Sequence, residues 1–163
     1  MRRRCGLVLL GAGLLAGCGF QLRQPTEVPF ERIALSGFAP RSAMAEALRR
    51  ELPARVRIVD AAAQSEVQLV ADEDVLHRTV VASTAAGQVR EFRLRVRLRF
   101  HFANPAGEAL GGVTELEQMR DLSYSETAAL GKEVEEAALL REMRADIARQ
   151  VVRRLAALGQ TGR

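Results

Sequence analysis

Along Arg90 to Phe102 apolar and polar residues alternate, without a break from Glu91 onward. Phe92, Leu94, Val96, Leu98, Phe100 and Phe102 share one side, and Glu91, Arg93, Arg95, Arg97, Arg99 and His101 the other. A period of two over this length predicts a strand with one buried and one wet face. On its N-terminal side, Val67 to Ala82 is rich in β-formers but interrupted by Asp72-Glu73-Asp74, which predicts a bulge or a bend. The Gly-containing stretch Thr84 to Gly87 joins these two segments as a turn, and Asn104-Pro105-Ala106-Gly107 makes the next. Leu110 to Tyr124 returns as a third, less regular strand.

The period changes at both ends of this β-rich centre. Ile33 and Leu35 alternate with Arg32, Ala34 and Ser36, the pattern of a first short strand. Pro40 is suited to starting a helix, which Ser42 to Leu52 continues, with Met44, Leu48 and Leu52 on one face and Pro53 as the stop. Arg55 to Val59 offers a further short strand, and Asp60 to Ser65 a loop of small residues. From about Ser125 the apolar residues step by three or four: Leu130, Val134, Ala137, Leu140, Met143, Ile147, Val151, Leu155 and Leu158. That is one helical stripe, with Ser125 or Thr127 as its cap. Acidic residues near its start and arginines near its end suit the helix dipole. The order β-α-β-β-β-α leaves one apolar sheet face and two apolar helix stripes that require each other for burial. The expected fold is α+β, a two-layer sandwich whose mostly antiparallel sheet carries both helices on one face and leaves the arginine face free.

The first residues read differently. MRRR precedes an apolar run from Gly6 to Ala16, too short to span a membrane but suited to a secretory signal. The run ends Leu15-Ala16-Gly17-Cys18, which looks like a bacterial lipobox, so residues 1–17 are expected to be cleaved and Cys18 to be acylated. Residues 18–28 then form a tether, 29–159 one domain and 160–163 a frayed tail. Loss of Arg2, Arg3 and Arg4 lowers the formal charge from +4 to +1, so bulk-charge binding to nucleic acid is not supported. Cys5 leaves with the signal, and the capped Cys18 alone forms no internal disulfide. Gly19, not Asp, follows Cys18, which points the lipoprotein to the periplasmic side of the outer membrane. Its acyl chains exceed the two that stable anchoring takes.

No catalytic constellation emerges. His77 and His101 have no metal-ligand spacing, no serine lies in a G-x-S-x-G setting, and Gly111-Gly112 belongs to a strand. The chain is therefore read as a non-enzyme with no cofactor or metal, although a lipid-anchored hydrolase would share the anchor. Four arginines at alternate positions of one strand are explained either by cross-strand pairs with Glu115, Glu117 or Asp72, or by an anionic ligand or partner wall.

Two passages carry a resemblance. Cys18-Gly19-Phe20-Gln21-Leu22-Arg23 resembles the mature start of the LptE family of lipopolysaccharide-assembly lipoproteins. Arg120-Asp121, Tyr124, Leu130-Gly131-Lys132-Glu133, Glu135-Glu136, Met143-Arg144, Asp146 and Arg153-Arg154-Leu155 resemble its strand-to-helix passage. The likeness implies a one-to-one complex with the β-barrel LptD, in whose lumen the lipoprotein sits as plug and assembly partner, and contact with lipopolysaccharide. The family's basic position maps to Lys132, the chain's only lysine. The turn that would add a second charge reads Thr84-Ala85-Ala86-Gly87, so Arg90 or Arg78 would have to substitute, and Lys132 with Arg90 is the expected anionic-ligand edge. The alternative is a general scaffold lipoprotein of a barrel-insertion machine, with the same anchor and fold but no LptD.

Overall fold

A computed structural model of the chain describes residues 28–161. Cys18, the signal segment and most of the tether lie outside the described residues. Five strands and two helices follow one another as β1 (Arg32–Ser36), α1 (Ala43–Glu51), β2 (Arg57–Val59), β3 (Val67–Ser83), β4 (Val89–Ala103), β5 (Thr114–Ser123) and α2 (Ala129–Thr161). They form one sheet in the order β2-β1-β3-β4-β5, an α+β fold. β1 is parallel to both β2 and β3, while β3, β4 and β5 run antiparallel. The short segment at 55–59 is thus a strand, reduced to three residues at the sheet edge.

The alternation in β4 becomes burial. Leu94, Val96, Leu98, Phe100 and Phe102 are buried, and they share one core with Met44 and Leu48 of α1 and Met143, Ile147, Val151 and Leu155 of α2. Both helices therefore cover the same sheet face. The acidic triplet of β3 shifts register between Ala71 and Glu73, which is the expected bulge. It lets the strand leave β1, its parallel neighbour only from Val67 to Val70, and run on beside β4 to Ser83. Gly37, with φ +79°, closes β1 against this point.

Several boundaries differ from the sequence reading, and α2 runs on to Thr161, into the tail expected to fray from residue 160. α1 does not begin at Pro40, because Arg41 takes a left-handed φ of 61° and interrupts the helical path. Ser42 caps the helix instead, its Oγ accepting from the N–H groups of Met44 and Ala45 while donating to Asp74 Oδ2 at 2.6 Å. β5 begins only at Thr114, because the chain first folds back on β4 through an Ala103–Ala109 bridge and turns at Gly111, φ +95°. α2 is preceded by a short 3-10 turn, Glu126–Ala128, and Ser125 gives it no side-chain cap bond; its hydroxyl meets that of Thr127 at 2.8 Å. Ile33 and Ala34 are both buried, so β1 lacks strict alternation.

The apolar stripe of α2 also divides. Its C-terminal two-thirds is core, but Leu130 and Val134 are 81% and 70% exposed. They lie eighteen residues, or about five turns, before the buried Ala148 and Val152, hence on the same flank of the helix. That flank faces α1, since Arg149 pairs there with Glu51 at 3.2 Å. With only nine residues, α1 ends before it reaches Leu130 and Val134. At the opposite end of α2 the chain enters the domain. A Cβ on Gly159 would come 1.9 Å from Pro29 Cγ, and the Arg55 guanidinium donates to the Val28 carbonyl at 2.6 Å.

The wet face of the sheet is satisfied mainly by its own neighbours. Arg93 meets Asp121 through two bonds of 2.7 and 2.8 Å, Arg97 meets Glu73 at 2.6 Å, Arg95 approaches Glu117 at 3.8 Å and His101 lies 3.2 Å from Asp72. Arg99 stands in register between Glu73 and Glu115. The bond from Arg93 holds the Asp121 carboxyl below its ordinary value. A depressed folded-state value means that this pair supports the fold above the ordinary carboxylate range and loses that contribution as the pH falls through the folded value. In a carbon-detected titration, Asp121 is expected to protonate at lower pH than a free aspartate. Arg93→Ala should return it to the ordinary range with little change in stability, because the pair is exposed.

Candidate functional site

The far end of the domain, away from the chain entry, carries the most distinctive surface. Here β3 has outrun β1, and the first turns of α2 cross above β4 and β5. A cavity of about 340 Å³ opens between them, lined by Arg78, Tyr124, Lys132, Glu133, Glu136, Ala137 and Leu140. Each side chain arrives by a different route. Arg78 is opposite Leu94 in the β3–β4 register, so it projects on the helix-covered face despite its charge. Its guanidinium lies over the Phe92 ring, 3.7 Å from the centroid, and reaches Glu136 at 3.4 Å. Phe92 in turn meets Tyr124 edge-on at 5.1 Å. The aromatic pair fixes the floor, and the arginine takes a cation–π contact in a partly covered position.

Lys132 comes from the first turn of α2 and leans toward β5. Its Nζ donates to Ser123 Oγ at 3.0 Å and to Glu135 Oε2 at 2.7 Å. Both cations therefore have acidic partners on α2, and both pairs are at the surface. Exposed pairs of this kind are worth about 0–1 kcal/mol. An anion that engages both cations together, with bidentate geometry at the arginine, exchanges these pairs at small cost. This is what the arrangement can do chemically: hold a phosphate-like group at the mouth of a partly aromatic cleft.

The sequence expectation paired Lys132 with Arg90. The structure brings Lys132 together with Arg78 instead. Arg90 lines a separate hollow of about 220 Å³ with Gln88, Val89, Ser125, Glu126 and Thr127, and its carbonyl accepts from the N–H of Tyr124 at 2.8 Å. The counter-charge from Glu136 to Arg78 was not foreseen, because it needs the register of β3 against a helix 58 residues further along. A second polar point lies under the sheet edge. Asp74, on the covered face, binds the cap hydroxyl of Ser42 and faces Arg144, whose burial lowers its pKa while Asp74 opposes the shift. This cluster joins α1, β3 and α2 and reads as structural. No helix among the described residues is long and apolar enough to cross a membrane.

Comparison with known proteins agrees with these features. The family model described as LptE, lipopolysaccharide-assembly, matches residues 30–155. The LPS-assembly lipoprotein LptE of Pectobacterium atrosepticum is 29% identical over 163 aligned residues, covering 95% of this chain and 86% of that one. Its counterpart in Yersinia enterocolitica is 28% identical, covering 95% and 77%. Among solved structures, a lipoprotein B from Nitrosomonas europaea superposes with a TM-score of 0.72 at 26% identity, over 88% of this chain and 94% of that one. The rare lipoprotein B from Shewanella oneidensis gives 0.63 at 27% identity, over 80% and 97%. The match spans β1 to the last turns of α2 and includes every residue of the cleft, so the chain belongs to the LptE family of lipopolysaccharide-assembly proteins.

Proposed function

We propose that this protein is an outer-membrane lipoprotein, anchored through acylated Cys18, that joins the barrel LptD one-to-one and assists insertion of lipopolysaccharide into the outer leaflet. It acts there without catalysis, as plug and assembly partner in the barrel lumen. The wet sheet face supports the lumen reading: a barrel interior is polar, and a plug there needs a charged, self-satisfied exterior such as the ladder from Arg93–Asp121 to His101–Asp72. The chain enters the domain at the C-terminal end of α2, and the cleft lies at the opposite end.

The observation that carries the lipopolysaccharide part is the convergence of Arg78 and Lys132 in one cleft above Phe92 and Tyr124. The phosphates of lipid A are the chemistry this pair suits, and Arg78 takes the place that the uncharged turn leaves vacant. Reversing both charges, Arg78→Glu with Lys132→Glu, removes two charge-assisted contacts of about 1.5 kcal/mol each. Titration of lipopolysaccharide is expected to show binding weakened about a hundredfold. Arg90→Glu, in the neighbouring hollow, should change it less than about threefold. Equal losses in the two variants would remove the cleft from the reading. Stoichiometric recovery of LptD from solubilised membranes tests the barrel partnership, and its absence would favour the scaffold alternative.

A further inference from the structure

The overhang of β3 is an open strand edge. Past Val70 no strand pairs with it on the β1 side among the described residues; Ser42 bonds Asp74 there, and from Leu76 to Val81 every residue is exposed. Leu76, Val80 and Val81 are 43%, 47% and 41% exposed. Open edges invite pairing, and soluble domains blunt them with charge, proline or brevity. The other edges follow that rule: β2 is three residues long, and β5 carries Glu115, Glu117, Arg120 and Asp121. The segment Leu76-His77-Arg78-Thr79-Val80-Val81 has a single full charge, Arg78, whose guanidinium lies over Phe92 and pairs with Glu136. Leu130 and Val134 also stand exposed, on the α2 flank that α1 leaves uncovered, while the cleft between the strand and α2 carries Arg78, Lys132, Glu133 and Glu136.

We infer that Leu76–Val80 of β3, the stretch before its register shifts, is a strand-addition edge that takes an extended segment of the barrel partner, with apolar side chains at alternate positions set beside Leu76 and Val80. This rests on the LptD reading above. Backbone groups choose the occupant: an acyl chain laid along the edge would desolvate unpaired N–H and C=O groups without bonding them, whereas a peptide strand pairs them. A second copy fits less well, since antiparallel pairing centred on Thr79 would set each Arg78 beside the other's Val80 where an apolar side chain is wanted. The tether does not reach. Val67 pairs with Ile33, Leu76 lies nine residues or about 30 Å further on, and Val28 enters below Ile33. Residues 18–27 span at most about 35 Å, too short to lie along the edge.

Amide hydrogen exchange tests this on the lipidated mature chain, alone and in its purified complex with LptD. Every second amide between Leu76 and Val80 should slow about tenfold or more on complex formation, while the β5 edge stays unchanged. A complex in which these amides exchange as before, or slow contiguously together with β5, overturns the strand edge and leaves the partnership standing. Protection that grows with concentration in the free chain would assign the edge to a second copy. Protection produced by lipopolysaccharide alone would assign it to lipid. Both overturn the inference. Failure to form any complex would remove the partnership and the inference with it.

Discussion

Gly37→Ala should destabilise the domain by about 3–4 kcal/mol, lowering the thermal midpoint by about 10–15 °C without changing the spectrum of the remaining folded fraction. Two costs add at this position. The residue holds φ +79°, where a side chain costs about 1–2 kcal/mol. A Cβ there would lie 2.1 Å from the carbonyl oxygen of Ala71, with the Ala71 carbonyl carbon and nitrogen at 3.0 and 3.1 Å. These atoms are backbone, fixed between β1 and β4 at the point where β3 bulges, so no rotamer change relieves the overlap. Gly111 separates the two costs. It has φ +95° but no atom within 4 Å of its Cβ position, so Gly111→Ala should lose only the conformational part, about 1–2 kcal/mol. Equal melting temperatures for the two variants would mean that β3 does not pass against Gly37 as described.

What could be read in advance follows from what each signal reports. Period-two alternation reports a face, and β4 was delimited to within one residue at each end because its two faces differ so strongly. The acidic triplet at Asp72 to Asp74 announced the bulge, because three consecutive charges cannot keep the alternation. Period-3.6 patterning reports only that a stripe is apolar, not that something packs on it. Leu130 and Val134 continue the stripe of α2 perfectly, yet the neighbour that covers Ala148 and Val152 five turns later is absent there. The start of α1 is set by the local cap of Ser42 on the N–H groups of Met44 and Ala45, but the further bond of that hydroxyl to Asp74, 32 residues away, is contained in no local rule. The parallel pairing of β1 with β3 likewise has no local signature.

The cleft shows the same division. The family resemblance points to Lys132, and to Arg78 only as a substitute beside it. Its strand register decides the matter: an arginine opposite Leu94 must point under the helix layer, where Phe92 and Glu136 give it a place. Alternation in β3 could have suggested this, since Leu76, Arg78 and Val80 share one face, but the bulge obscures which face that is. The arginines of β4 were assigned correctly to the opposite side, and three of the four meet carboxylates there. An abundant charge pattern is thus mostly self-satisfied, whereas Arg78, on the apolar side, lines the cleft.

The two sides of β4 should respond oppositely to substitutions one residue apart. Leu98 is completely buried, flanked in register by Asp74 and Leu116 beneath both helices. Leu98→Arg would place a cation there with no partner of its own, since Asp74 already binds Ser42 and faces Arg144, or force the helices off the sheet. Deleting a buried leucine alone costs about 2–5 kcal/mol, and a buried, unpaired charge adds several more. The total reaches the whole stability of a typical domain, about 5–15 kcal/mol, so the variant should be recovered unfolded or not at all. Arg99→Leu, on the exposed side, should shift stability by no more than about 0.5 kcal/mol. Thermal or urea unfolding of the pair measures the difference. Should Leu98→Arg fold normally while Arg99→Leu unfolds, the helices would have to lie on the arginine side. The cleft built from Arg78, Phe92 and Lys132 would then lose its floor, because all of it depends on α2 crossing the apolar face of this strand.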